Sequence, residues 1–176
     1  MCMMKKHFYF PSSDGKTKLH GVLWIPETEP RAVLQIAHGM VEYVERYEGF
    51  AEFLNANGIL VAGHDHLGHG WSYTDEKNKG HFAEKKGDIV PLQDMHRLTL
   101  LLQKKYPDIP YFLFGHSMGS LIVRAYLRKH DAEIDKLIVC GAPGKNPAVG
   151  AAKILIKVLK AMKGDHHVSK LMFDMS

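Results

Sequence analysis

The sequence predicts an α/β fold, in which helices flank a mostly parallel sheet. Short runs rich in Val, Leu and Ile alternate along the chain with longer segments of helical periodicity. Strands that alternate with helices in this way are typical of a parallel sheet covered on both faces. With 176 residues, of which 45% are hydrophobic, the chain is long enough to form one domain with a sizeable core.

Five segments have the composition of strands that are buried or half-buried in a sheet. Each is short and apolar, and turn residues such as Pro, Gly and Asn bound most of them. The five are Lys18 to Ile25, Ala32 to Ala37, Ile59 to Ala62, Tyr111 to Phe114 and Lys136 to Cys140.

Three segments between these strands predict helices. Tyr47 to Asn57 places aromatic and Leu side chains at helical spacing and ends at an Asn-Gly stop signal. A second helix begins at Pro91 and ends before Pro107, and a third covers Ser117 to His130. The stretch 64–87 is polar and has no sustained periodicity, so we expect a long loop on the functional side of the sheet.

Composition excludes several classes of protein. The formal charge of +4 comes from dispersed Lys and Arg residues, which argues against nucleic-acid binding. Cys2 and Cys140 lie near opposite ends of the sequence and cannot build a disulfide framework, which favours a reducing compartment. Neither a signal peptide nor a membrane-spanning stretch is recognisable. We therefore expect a cytoplasmic protein that is at most associated with a membrane surface.

The segment Gly115-His116-Ser117-Met118-Gly119 matches G-x-S-x-G and lies between a predicted strand and a predicted helix. Such a sharp turn needs small residues on either side and lifts the serine hydroxyl out of the sheet. It also directs free backbone N–H groups at the helix start towards an oxyanion beside the serine. This context predicts a nucleophilic Ser117 with Met118 N–H as an oxyanion donor, rather than a Gly-Ser turn that only caps a helix.

A second oxyanion donor is expected from the loop that follows an earlier strand. His38-Gly39-Met40 follows the strand that ends at Ala37, so the backbone N–H of Met40 is the candidate. A lone histidine in such a loop is more often structural than catalytic. We therefore interpret His38 as a residue that shapes the loop.

Three blocks of the sequence together resemble the monoacylglycerol lipase and lysophospholipase group of α/β hydrolases. The blocks are Ala37-His38-Gly39-Met40, His64-Asp65-His66-Leu67-Gly68-His69-Gly70-Trp71-Ser72 and Gly115-His116-Ser117-Met118-Gly119-Ser120. The resemblance implies an oxyanion hole formed by Met40 and Met118. It also implies that the middle block is a structural turn near the active site, which keeps Asp65 and His66 out of the catalytic triad.

The resemblance further implies how the chain is organised. It places the N-terminal part of the α/β-hydrolase core at residues 1–147 and the beginning of a helical lid at 148–176, with the fold truncated after its sixth strand. In this family the triad acid and histidine follow the lid, so we expect both outside the sequence and the chain itself to be an inactive fragment. Asp131, Asp135 and the pair His166-His167 do not fit the required Ser-Asp-His order at strand ends.

The segment from Val149 to Met162 predicts an amphipathic basic helix. Ile, Leu, Val and Met lie on one side, and four lysines recur on the other: Lys153, Lys157, Lys160 and Lys163. We favour a lid helix that packs its apolar side on the core and exposes its lysines. The alternative is weak contact with an anionic membrane surface.

Two alternatives come from other classes of protein. His64, His66 and His69 have the spacing of a metal-binding cluster, which would indicate a metallohydrolase. Two points argue against a metallohydrolase. The similar block of such enzymes has Asp at the position of Gly68, and the G-x-S-x-G motif around Ser117 would have no role. The third interpretation is a non-catalytic binding module with an α/β fold.

The favoured prediction is a serine esterase that forms an acyl-enzyme on Ser117 and uses neither a metal nor an organic cofactor. The expected partner is a small acyl ester or lipid. Monoacylglycerols, lysophospholipids, simple esters and peptides remain open as substrates, because the residues that select the substrate belong to the lid and pocket.

Overall fold

The structure, a computed structural model, describes residues 4–73, 75–83, 86–144 and Gly164. The strands in the described part are β1 (Met4–Pro11), β2 (Lys18–Ile25), β3 (Ala32–Ala37), β4 (Ile59–His64), β5 (Tyr111–His116) and β6 (Lys136–Cys140). The α-helices are α1 (Glu48–Asn55), α2 (Val90–Lys105) and α3 (Met118–His130). Short 3-10 turns cover Val44–Tyr47, Glu76–Asn78 and Asp131–Glu133.

The six strands form one sheet in the order β1-β2-β4-β3-β5-β6. The pairs β4–β3, β3–β5 and β5–β6 are parallel, whereas β1–β2 and β2–β4 are antiparallel. The predicted mostly parallel sheet with flanking helices is confirmed. Because β3, β4, β5 and β6 run in the same direction, the loops that follow them emerge at one edge of the sheet.

Strand β1 is absent from the predicted set, although it pairs with β2 along its whole length, from Met4 opposite Ile25 to Pro11 opposite Lys18. As an edge strand it is largely exposed or half-buried, so it lacks the continuous apolar run of a buried strand. The Phe8 ring covers Gly21 on β2, where a Cβ atom would lie 2.3 Å from the ring. Glycine at this position therefore lets an aromatic side chain cross the hairpin.

Buried side chains lie on both faces of the sheet. On the face covered by α2 and α3, the fully buried side chains include Leu98, Met95, Leu102, Val123 and Tyr126. The second cluster, which α1 covers, consists of Val22, Trp24, Leu34, Ile36, Val44, Ala51 and Val61. The central strands are thus buried on both sides, as their uninterrupted apolar composition indicates.

The predicted helices are present, with one difference in detail. The second helix has its proline in the first turn, as expected, and buries its Leu and Met stripe. The first is a 3-10 turn followed by α1, and only Ala51 and Asn55 of α1 are buried. Phe53, predicted on the apolar stripe, is 66% exposed because it lies on the outer side of this short helix. The stretch after β4 is a loop, apart from the single 3-10 turn Glu76–Asn78 in its described part.

The chain divides into two compact units, Met1–Pro143 and Gly144–Ser176. Of the second unit, only Gly144 and Gly164 are described. Apart from Gly164, the predicted lid over 148–176 lies outside the described residues. The same is true of the predicted basic helix from Val149 to Met162. None of the helices in the described part has the length and apolar character that crossing a bilayer requires.

Candidate active site

Ser117 forms a strained turn between β5 and α3, with φ 50° and ψ −115°. Positive φ is rare for residues other than glycine, and it persists where the surroundings hold it. The Ser117 N–H donates to the carbonyl of Cys140 at 3.0 Å, and its own carbonyl accepts from the Ser120 hydroxyl at 2.5 Å. Strand β6 and the first turn of α3 therefore hold the strained backbone at the edge of the sheet.

The two glycines of the motif are required by close contacts. A Cβ atom on Gly119 would lie 2.0 Å from the carbonyl oxygen of Ala37, at the end of β3. A Cβ atom on Gly115 would lie 2.5 Å from Cγ2 of Val123 and 2.6 Å from the Gly119 carbonyl oxygen. Real Cβ atoms do not make such contacts, so glycine alone lets α3 begin directly against the central strand.

The loop after β3 lies against the serine turn. A Cβ atom built on Gly39 would be 3.3 Å from Cβ of Ser117. Met40 is the next residue and its side chain points largely into solvent, being 61% exposed, while Met118 is the first residue of α3. Met40 thus follows a residue that contacts the Ser117 turn, and Met118 follows Ser117 directly, while their role as oxyanion donors stays a prediction.

His38 is buried and joins two loops of the site. Its Nε2 accepts a hydrogen bond from the backbone N–H of His66 at 2.9 Å, so its Nδ1 carries the proton and donates to the Gly39 carbonyl at 2.7 Å. Burial lowers the pKa of His38 to about 4. The ring is therefore neutral at pH 7, and its two hydrogen bonds connect the Gly39 loop to the loop after β4.

Glu42 is a functional candidate that the sequence did not single out. Its Oε1 accepts hydrogen bonds from the backbone N–H of Gly39, from the Tyr47 hydroxyl at 2.8 Å and from His116 Nδ1 at 3.2 Å. Burial alone would raise the pKa of Glu42, but these hydrogen bonds lower it overall. One carboxylate thus connects the loop after β3 to the serine turn, and only its position three residues after His-Gly could have indicated it.

Replacing Glu42 with alanine should lower the free energy of unfolding by about 1–3 kcal/mol, because it leaves the partly buried donors on Gly39 and Tyr47 without their acceptor. Urea unfolding measures the change, and Glu42→Gln, which keeps an acceptor oxygen, should lose less. The matched control is Glu52→Ala on the exposed side of α1, which should change stability by less than about 0.5 kcal/mol. Equal effects of Glu42→Ala and Glu52→Ala would show that the carboxylate does not hold this loop.

Asp65 supports the loop after β4 by accepting three hydrogen bonds. Its carboxylate accepts from the N–H of Val44 at 2.8 Å, from the N–H of Trp71 at 2.9 Å and from His20 Nδ1 at 2.8 Å. Gly70, at φ 49°, packs against it so closely that a Cβ atom would lie 2.2 Å from the carboxyl group. Burial would raise the pKa of Asp65, but the hydrogen bonds lower it. These contacts agree with the structural role that the resemblance implies.

The arrangement of His64, His66 and His69 argues against the metallohydrolase alternative. Their ring centroids are 5.2 Å and 6.5 Å apart along the series, with nearly perpendicular planes. Within the described part of the chain, these three rings do not form a group whose ligand atoms lie within 4.8 Å of one another. Burial lowers the pKa of His64 to about 3 and that of His66 well below its ordinary value, so both rings are neutral in the core.

Asp131 and Asp135 lie far from the serine. Asp131 follows the C-terminal end of α3, whereas Ser117 precedes its start. Asp135 accepts a hydrogen bond at 2.7 Å from the N–H of Tyr111, the first residue of β5, whereas Ser117 follows the last. Asp131 is thus about 20 Å from Ser117 by the length of a 13-residue helix, and Asp135 lies at the opposite end of β5.

An apolar groove of about 230 Å³ lies beside the serine turn. Its lining includes Met118, Leu121 and Ile122 from the first turns of α3, together with Pro91 and Leu92 at the start of α2. The groove thus extends to Met118, the residue that follows the candidate nucleophile in sequence.

A serine held at positive φ between a parallel strand and a helix, opposite a His-Gly loop, defines the serine hydrolases of the α/β-hydrolase fold. The pattern of the family described as "Serine aminopeptidase, S33" matches residues 28–175. The chain therefore belongs to this family, and its relatives place it with the monoacylglycerol lipase-like serine hydrolases.

Individual relatives agree with this assignment. The chain is 32% identical over 140 residues to a monoacylglycerol lipase of Mycolicibacterium smegmatis, covering 80% of this chain and 48% of that protein. It is 37% identical over 99 residues to the monoglyceride lipase of Mus musculus, covering 56% of this chain and 31% of the mouse protein. A thermostable carboxyl esterase from Bacillus coagulans, solved with glycerol, matches with a TM-score of 0.81 at 35% identity, covering 92% of this chain and 52% of the esterase. The chain thus spans at most about half the length of these three proteins.

Proposed function

We propose that the protein is a carboxylic ester hydrolase in which Ser117 is the nucleophile. The observation that carries the proposal is the strained turn at Ser117, with the Gly39 loop packed against it at the common edge of the sheet. A turn of this kind serves to expose a hydroxyl beside backbone N–H groups, and strain is retained where it has such a use.

In the proposed reaction, the Ser117 hydroxyl attacks the ester carbonyl carbon, and the carbonyl π electrons move onto the oxygen. The N–H groups of Met40 and Met118 donate hydrogen bonds to this oxyanion. The intermediate then collapses, the alcohol leaves with the proton taken from Ser117, and water releases the acyl group in a second, equivalent step. We assign the histidine and acid that move this proton to residues outside the described part, because Asp131 and Asp135 lie at the far edge of the sheet.

We assign the substrate to fatty acyl esters of small alcohols, with monoacylglycerols first and lysophospholipids second. Two observations support this choice: the relatives are named monoacylglycerol and monoglyceride lipases, and an apolar groove begins at Met118. An apolar surface next to the nucleophile favours an acyl chain over a polar substituent. The proposed mechanism uses no metal and no organic cofactor.

A fluorophosphonate probe on the full-length protein, expressed from its complete reading frame, tests the assignment of the nucleophile. We expect the probe to label Ser117, and Ser117→Ala to abolish both labelling and hydrolysis of a monoacylglycerol. The control variant Ser13→Ala, in the β1–β2 turn, should keep both. Labelling that persists in Ser117→Ala would contradict the assignment of Ser117 as the nucleophile. If the wild-type protein is labelled but cleaves only a peptide substrate, the proposal that its substrate is an ester is contradicted.

We further propose that the 176-residue chain alone is inactive. Among the described residues, the acidic side chains that follow Ser117 in sequence all lie at the far end of α3 or beside the start of β5, away from the serine turn. A serine without its base loses most of its reactivity. The isolated chain should therefore fold without hydrolysing esters at a rate above background. Turnover that Ser117→Ala removes from the isolated chain would contradict this expectation.

A further inference from the structure

A cluster of His96, His130 and Glu133 lies at the end of α3 remote from Ser117. His96 comes from α2, His130 is the last residue of α3, and Glu133 lies in the 3-10 turn that follows. The proposed reaction uses none of the three. Their side chains are each between 26% and 28% exposed, so the cluster is open to solvent on one side and packed on the other.

The three ligand-type atoms of the cluster converge. Oε1 of Glu133 lies 3.2 Å from Nε2 of His96 and 3.0 Å from Nδ1 of His130, and all three atoms lie within 4.8 Å of one another. Ligand atoms at the usual 2.0–2.1 Å from a tetrahedral Zn²⁺ ion are separated by about 3.3 Å. The two nitrogen–oxygen distances are hydrogen bonds, in which the two imidazole N–H groups donate to Oε1, and they are similar to the spacing of zinc ligands. A Zn²⁺ ion would replace these two protons and would require the stacked rings of His96 and His130, whose centroids are 3.9 Å apart, to turn towards it.

Two neighbouring features prepare the cluster for a cation. The Tyr126 hydroxyl donates to Oε2 of Glu133 at 2.7 Å, which orients the carboxylate and leaves Oε1 directed at the two imidazoles. The cluster also lies at the C-terminal end of α3, where the helix dipole favours positive charge. Both features are typical of the surroundings of metal ligands.

A second group, His7, His20 and Glu45, has similar composition, but its carboxylate is already paired with a positively charged side chain. The Lys5 ammonium group lies 2.7 Å from Oε1 of Glu45, and His20 is held between His7 at 2.8 Å and Asp65 at 2.8 Å. A cation there would have to displace an ammonium ion and break a buried hydrogen bond. The contrast makes this group a matched control for the first.

We propose that His96, His130 and Glu133 bind one Zn²⁺ ion. Two imidazoles and one carboxylate are a preferred donor set for Zn²⁺, and the solvent-exposed side leaves the fourth position to water. On binding, each imidazole must carry its proton on its other ring nitrogen, so that the nitrogen that donates to Oε1 in the metal-free protein presents a lone pair to the metal. The ion would join α2 to the end of α3 and stabilise the packing of the helix that carries Ser117 at its start.

The proposal is tested by metal titrations of the metal-free 176-residue chain. Binding of Co²⁺ is followed by visible absorption, and binding of Zn²⁺ is followed by calorimetry. We expect one site whose affinity falls at least about 100-fold in His130→Asn and in Glu133→Gln, and about 10- to 100-fold in Tyr126→Phe, which removes the hydroxyl that donates to Glu133. Zn²⁺ at 100 times its Kd should raise Tm by about 5 °C in the wild-type chain.

The control variant His7→Asn should bind as the wild type does. Each variant is compared by circular dichroism before titration, and two independent ligand variants guard against the loss of one through misfolding. A wild-type Kd weaker than about 1 mM would overturn the proposal. A loss of affinity in His7→Asn but not in His130→Asn or Glu133→Gln would also overturn it. Neither result bears on Ser117, whose probe labelling is measured separately.

Discussion

Gly119→Ala should lower the free energy of unfolding by more than about 3 kcal/mol. The added Cβ atom would lie 2.0 Å from the carbonyl oxygen of Ala37 and 2.7 Å from that of His38. Both are backbone atoms at the end of the central strand, so no side-chain rotation can relieve the contact. Relief requires α3 to move away from β3, which separates the serine turn from the His-Gly loop. Urea unfolding followed by far-ultraviolet circular dichroism measures the loss.

The sign of this effect distinguishes packing from helix propensity. Alanine is favoured over glycine inside helices by about 1 kcal/mol, so propensity alone predicts stabilisation. Gly49→Ala in α1 is the matched control, because a Cβ atom there would meet nothing within 4 Å. We expect Gly49→Ala to be neutral or to stabilise by up to about 1 kcal/mol. If Gly119→Ala behaves like Gly49→Ala, then α3 does not rest on the end of β3.

Lowering the pH from 7 to 5 should remove several kcal/mol of stability. Burial lowers the pKa of His38 to about 4 and that of His64 to about 3, and it lowers the pKa of His66 well below the ordinary value of 6.5. In the unfolded chain these rings take up protons below pH 6.5, while in the folded protein they stay neutral. Stability is therefore lost as the pH falls through 6.5, by about 2 kcal/mol per histidine at pH 5.

The measurement is Tm in buffers from pH 7.5 to pH 5 at constant ionic strength. His64→Leu should reduce the loss of stability between pH 7 and pH 5 by the contribution of one histidine. It removes a buried ring whose nitrogens make no hydrogen bond within the described residues. Burial raises the pKa of Asp94, which acts in the opposite direction, but this is one group against four, because burial lowers the pKa of His69 as well. A Tm that does not change between pH 7 and pH 5 would contradict the neutral burial of these rings.

Periodicity and turn chemistry predicted most of the fold because they act locally. An apolar run followed by His-Gly marks the end of β3, and Pro91 marks the first turn of α2. The serine turn was predictable for the same reason, since G-x-S-x-G between a strand and a helix describes a local backbone requirement. The φ of 50° at Ser117 agrees with that requirement.

The features that the sequence could not predict depend on contacts between distant segments. Strand β1 exists through its pairing with β2 and has no apolar run of its own. The role of Glu42 follows from the approach of His116, and only the folded sheet brings these two residues together. The His64 spacing suggested metal ligands, but the strand and its loop turn neighbouring rings nearly perpendicular to one another, so that their nitrogens do not converge.

The position of β3 between β4 and β5 also determines how the chain must assemble. Strand β3 can pair with β4 early, because their residues are close in sequence. The other edge of β3 stays unpaired until β5 is available, since Val33 pairs with Tyr111. Closing so long a loop is slow, and the open edge of an apolar strand is prone to aggregation until it closes. Nascent chains of this protein should therefore depend on chaperones until β5 has emerged, and the His-Gly loop meets its serine only at that late step.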